Sequence, residues 1–127
     1  MSPMERTKAE LKKHGIWHEV VERWLPRSKK YPFGLRKDLF SIIDLIALDN
    51  GIVGIQVCGK DWMEHHRKIM SEKKENAIRW ISNGGRLEIH GWRKRKKKRG
   101  MKATYWSPRI ADVFISRGEL YWEERDE

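Results

Sequence analysis

The run from Phe40 to Cys58, FSIIDLIALDNGIVGIQVC, constrains this chain most. It reads as two apolar strands joined at Asp49-Asn50-Gly51, residues that accept a positive φ and so suit a tight hairpin turn. Each strand carries one polar residue where a buried strand should have none: Asp44 on the first, Gln56 on the second. Centring the turn on Asn50 sets Leu48 against Ile52, Ile46 against Gly54 and Asp44 against Gln56. Cross-strand partners share a face, with Cβ atoms roughly 4.5–5.5 Å apart. Cys58, two residues past Gln56, points the same way. An Asp and a Gln thus converge in an apolar sheet. Leaving either unpaired there costs about 1–3 kcal/mol, so the pair calls for a partner or a function.

The segments around the hairpin set its context. Ser2-Pro3-Met4-Glu5 carries a capping-box signature with proline in the first turn, and the helix it opens should run to about His14 and stop at Gly15. Ile16 to Leu25 is expected as a strand, ended by Pro26. Arg27 to Gly34 is a basic loop containing Lys29, Lys30 and two aromatics. Leu35 to Leu39, with Arg36 and Lys37, leads into the hairpin. Gly59-Lys60-Asp61 breaks its second strand, and Asp61 should cap a helix from Trp62 to about Met70. A further helical stretch around Ala77 to Ile81 ends at Asn83-Gly84-Gly85; one broken helix and two separate ones fit equally. Arg86 to Trp92 alternates as a half-buried strand with Leu87 and Ile89 inward. Ala103 to Trp106 reads as its hairpin partner, interrupted by Pro108. Ile110 to Ile115 is a short apolar run, and Glu119 to Glu127 an acidic tail that ends the fold loosely. This order implies one α/β domain over residues 1–127, built on a mixed sheet.

The charge narrows the partner. Lys and Arg total 28 against 18 Asp and Glu, a formal net charge of +10, which favours a polyanion such as nucleic acid. Arg93, Lys94, Arg95, Lys96, Lys97, Lys98 and Arg99 form an unbroken basic run between two candidate strands, so residues 93–100 are expected as a hairpin tip lying along a phosphate backbone. Such a tip carries no base specificity by itself. Lys29, Lys30, Arg36 and Lys37 are further phosphate candidates. Trp92 and Trp106 flank the basic run and are the candidates for stacking on an unpaired base, whereas Trp17, Trp24, Trp62 and Trp80 are expected in the core. A zinc site would need histidines on one face with a Cys or acid partner, and the five scattered histidines do not suggest one. A Cys58–His nucleophilic pair is open on paper, although Cys58 reads more simply as a small apolar strand residue. A single cysteine excludes an internal disulfide. No apolar run approaches the roughly 20 residues a membrane span needs, and no apolar signal core follows Met1, so the expected location is cytoplasmic.

Glu5-Arg6 on the first helix, Arg36-Lys37-Asp38 before the hairpin, Asp44-Leu45-Ile46-Ala47-Leu48 and Gly54-Ile55-Gln56-Val57-Cys58 together resemble the PD-(D/E)XK nuclease superfamily, most closely small archaeal-type Holliday junction resolvases and related phage nucleases. The resemblance covers roughly Glu5 to Trp92. It implies a restriction-endonuclease-like mixed sheet flanked by helices. It also implies a metal-dependent DNA endonuclease for branched or single-stranded substrates. On the matching positions Asp44 is the motif aspartate, a ligand to Mg²⁺ or Mn²⁺, and Glu5 an acidic residue that some relatives add to the metal site. Gln56 stands where the family has Glu, and Cys58 where it has the lysine that steadies water and phosphoryl charge. Lys60, two residues on, replaces that lysine if the strand continues. Relatives that cut junctions are commonly dimers, which makes a homodimer an expectation. The substitutions at positions 56 and 58 leave a catalytically weakened or inactive nucleic-acid-binding module as the alternative. An interaction protein that uses the basic hairpin on an acidic partner is the third reading.

Overall fold

The computed structural model describes residues 1–125. Its centre is a mixed six-stranded sheet flanked by helices. Helix α1 (Pro3–Lys13) opens on the expected capping box, with Ser2 Oγ accepting from the Glu5 N–H and Glu5 Oε2 from the Ser2 N–H. Strand β1 (Trp17–Val20) follows. Where one strand was expected to reach Leu25, the chain breaks. The Val21 and Glu22 N–H groups both donate to the Asp44 carbonyl, which turns the chain out of the sheet. Strand β2 (Arg23–Leu25) then pairs with β3 (Leu35–Lys37) in a separate two-stranded sheet.

The hairpin forms from β4 (Leu45–Leu48) and β5 (Ile52–Cys58), with Leu48 against Ile52 and Ile46 against Gly54 as expected. Asn50 (φ 52) and Gly51 (φ 130) supply the left-handed turn. The first strand starts later than the apolar run does. Residues 39–43 curl into a tight loop closed by a Leu39–Ile43 bridge, with Phe40 and Ser41 at positive φ.

Two helices, α2 (Trp62–Met70) and α3 (Lys74–Ser82), carry the chain to β6 (Arg86–Lys96), which lies parallel to β5. Strand β7 (Thr104–Ser116) runs antiparallel to β6, and β8 (Glu119–Glu124) antiparallel to β7. The sheet order is β1-β4-β5-β6-β7-β8.

Three expectations are corrected at this end. Arg93 to Lys96 lie in paired β6, so only the rest of the basic run is turn. Pro108 does not interrupt β7; it sits opposite Trp92, at a point that β8 does not reach. Its missing N–H therefore deserts no ladder partner. The acidic tail is largely a strand, because Leu120 is buried in the core and Trp122 packs against it. Residues 126–127 of that expected tail lie outside the described residues.

The core has two faces. Leu11 of α1 packs on Leu45, Ala47, Val53 and Ile55. On the other face Trp62, Ile69 and Ala77 of α2 and α3 meet Ile42, Ile43, Cys58, Leu87, Ile89, Ala111, Val113 and Leu120. Trp17 and Trp24, expected inside, are 79% and 63% exposed. No helix among the described residues is long and apolar enough to cross a membrane.

Candidate active site

The buried aspartate of the hairpin organises a cleft of about 470 Å³. Asp44 immediately precedes β4 and is 6% exposed. Its N–H donates to the Ile55 carbonyl, and its Oδ2 accepts from the Val57 N–H at 2.8 Å. The curled loop that delays β4 returns the chain so that Asp38 comes alongside Asp44. The bend after β1, held on the Asp44 carbonyl, delivers Glu22. One carboxylate oxygen from each of Glu22, Asp38 and Asp44 lies within 4.8 Å of the other two. Arg36, from β3, lines the same cleft.

Burial and the neighbouring acids oppose ionisation of Asp44. The Asp44 carboxyl is pushed up to about 8, first by burial and then by its hydrogen bond to Asp38, with the charges of Asp38 and Glu22 adding. The Val57 N–H works the other way. Two larger grooves, about 600 and 610 Å³, lie elsewhere. Neither gathers three ligand-type side chains among the described residues.

Gln56 takes a different hydrogen-bond partner from Asp44. The β4–β5 pairing ends at Leu45 and Ile55, so the Asp44 carboxylate turns to the Val57 N–H. Gln56 instead sits buried, with its Oε1 3.0 Å from His65 Nδ1. Glu5 is engaged in the capping box and is absent from the cleft lining, although Ser2, Pro3 and Met4 reach it. Lys60 is also absent from that lining: β5 stops at Cys58, and Lys60 is exposed in the turn beyond.

Cys58 does line the cleft, with Asp61 and His65. Burial first, then the charges of Asp61 and Asp44, push its thiol up to about 12, against a lowering by Arg109. Asp61 stands at the N-cap of α2 but makes no side-chain cap; its Oδ2 lies 2.8 Å from His65 Nε2. Burial opposes ionisation of Asp61, yet that hydrogen bond and the His65 charge hold its carboxyl below the usual range.

The basic candidates fall into two groups. Lys29 and Lys30 are exposed on the loop before β3, with Arg36 and Lys37 on the strand itself. Arg93, Lys94, Lys96, Lys97, Lys98 and Arg99 are exposed along the β6–β7 arm, with half-buried Arg95 among them. Trp106 is 40% exposed on this arm, with Arg6 Cζ 3.9 Å and Lys94 Nζ 5.4 Å from its ring centroid. Trp92 is not available for stacking. It is 7% exposed, and its indole N–H donates to Thr7 Oγ1 at 2.9 Å, which locks α1 onto β6.

The sequence reading missed Glu22, Asp38, Asp61 and His65 as candidate site residues. Nothing local marks Glu22, whose position depends on the bend. Asp38 stands within the matched Arg36-Lys37-Asp38, and Asp61 and His65 are one helical turn apart, a spacing that puts them on one face. Compared with protein-family models, curated proteins and solved structures, the chain has no match.

Proposed function

We propose that this chain is a metal-dependent endonuclease that hydrolyses phosphodiester bonds in DNA, with branched or single-stranded DNA as the preferred substrate. The observation that carries the reading is the convergence of Glu22, Asp38 and Asp44 in one cleft on a chain of net charge +10. A cluster of acids facing a polyanion is repulsive unless a cation intervenes. The donor set is all oxygen, which suits the hard ions Mg²⁺ and Mn²⁺. When bound, such an ion supplies Lewis-acid stabilisation of the phosphoryl charge.

The remaining work belongs to the chain. Arg36 offers a guanidinium edge to a phosphodiester oxygen at the cleft. The lysines of the β6–β7 arm hold the flanking backbone, and Trp106 gives an exposed ring for an unstacked base. A mixed sheet flanked by helices is compatible with the restriction-endonuclease-like fold that the resemblance implies. A cytoplasmic setting and a homodimer belong to the same proposal.

The test is cleavage of plasmid and branched DNA in Mg²⁺ or Mn²⁺, comparing wild type with Asp44→Ala and Asp38→Asn. Both variants are expected to lose activity by roughly 10–100-fold or more, the scale at which even an outer partner of a metal ligand is felt. Metal-dependent cutting that persists unchanged in both sinks the assignment.

A non-catalytic DNA-binding module is the second reading. It is favoured by the buried thiol of Cys58 at the lysine position and by the absence of Lys60 from the cleft lining. It predicts salt-sensitive binding with no cutting in either metal.

A further inference from the structure

The second cluster in the cleft has a chemistry of its own. Cys58 ends β5, Asp61 stands at the N-cap just before α2, and His65 follows one turn into that helix. A thiol sulfur, a carboxylate oxygen and an imidazole nitrogen lie within 4.8 Å of one another. We propose that Cys58, Asp61 and His65 bind a borderline-soft divalent cation of the zinc class, at a site separate from the three-carboxylate cluster.

Three observations support this. The donor set of sulfur, nitrogen and oxygen matches zinc, which binds all three at about 2.0–2.3 Å, and mismatches the all-oxygen preference of Mg²⁺. Asp61 forgoes the backbone cap that its position offers and points its carboxylate at His65 Nε2. The other ring nitrogen, Nδ1, faces the Oε1 of buried Gln56 at 3.0 Å. A ligating imidazole is typically oriented this way, by an oxygen on its far nitrogen. The otherwise unexplained polar residue of β5 thereby acquires a role as the positioning residue for His65.

The 2.8 Å hydrogen bond between Asp61 and His65 is one that an entering cation replaces with two coordinate bonds. The Cys58 thiol gives up its proton to solvent on binding. With three protein ligands and an open side on the cleft, the fourth coordination position is left for water or a phosphate oxygen.

Cobalt is the probe, because a cobalt–thiolate bond gives a charge-transfer band in the near ultraviolet. Stoichiometric Co²⁺ added to the full chain is expected to raise this band, and Zn²⁺ to displace it. Cys58→Ser should abolish the band. Asp61→Asn and His65→Ala should each weaken Co²⁺ binding roughly tenfold or more. Asp38→Asn should leave the band intact, so that its failure in DNA cleavage and failure of this site are read separately. Absence of the band in the folded wild type overturns the proposal. So does a Co²⁺ affinity unchanged in both Asp61→Asn and His65→Ala.

Discussion

At the scale of single residues, buried charge decides most of what can be tested. Glu88 is 7% exposed, yet it meets His90 Nε2 at 2.8 Å and Arg125 at 2.7 Å; Arg125 also holds Asp112. Burial opposes ionisation of Glu88, but His90 and Arg125 hold its carboxyl below the usual range. A depressed carboxyl stabilises the fold fully above its unfolded value. That contribution is lost as pH falls from the ordinary carboxylate range through the folded value. Glu88→Gln should therefore cost about 1–3 kcal/mol at pH 7 in urea unfolding and should flatten the loss of stability on acidification. The acid cluster has the opposite sign. Asp38→Asn relieves repulsion on Asp44, so it should raise the thermal midpoint without metal. If the cluster binds Mg²⁺ as proposed, the ion should raise the wild-type midpoint through selective binding to the folded state, and Asp38→Asn should lose that rise, as scanning calorimetry would record. Strand alternation identifies Glu88 and His90 as facing away from Leu87 and Ile89. It does not tell that α1 and Arg125 cover that face, because periodicity fixes direction and not what lies there. Asp44 is legible as a buried acid. Its partners are not: Asp38 comes alongside through a loop that sets Phe40 at positive φ, against that residue's own preference, and Glu22 through the bend after β1.

At the scale of elements, close approach of helix and sheet fixes the sequence at a few points. A Cβ at Gly91 would run into the Trp62 ring, so this glycine lets α2 lie directly on β6. Gly91→Ala should push Trp62 outward and cost about 1–3 kcal/mol by overpacking. A shift of the urea midpoint with an unchanged m-value would report it. Most helices and strands are readable from capping, glycine stops and alternation. The misreadings have specific causes. β1 and β2 read as one strand because the bend between them is imposed from outside, by the Asp44 carbonyl. β8 reads as tail because its charges obscure the alternation of Leu120 and Trp122. The turn before it puts Arg117 and Gly118 at positive φ, and arginine gives little warning of that.

At the scale of the whole molecule, the α/β class and the mixed sheet are legible from the order of elements alone. The distribution of charge over that frame is less so, because a run of basic residues looks like loop in the sequence and is half strand in the structure. Replacing Lys94, Lys96, Lys97 and Lys98 with Gln should weaken DNA binding without unfolding the chain. The slope of log affinity against log salt should drop by up to roughly 3–4, about 0.9 for each phosphate no longer neutralised. Fluorescence anisotropy across a salt series measures this. The pairing of Arg93 to Lys96 with Thr104 to Ser107 also gives the molecule a length. Four paired residues beyond the buried Trp92 rise roughly 13 Å at the strand spacing, close to the roughly 12 Å width of a duplex major groove. On the proposed DNA-binding function, the length of this paired arm sets how far from the cleft a nucleic-acid backbone would be gripped.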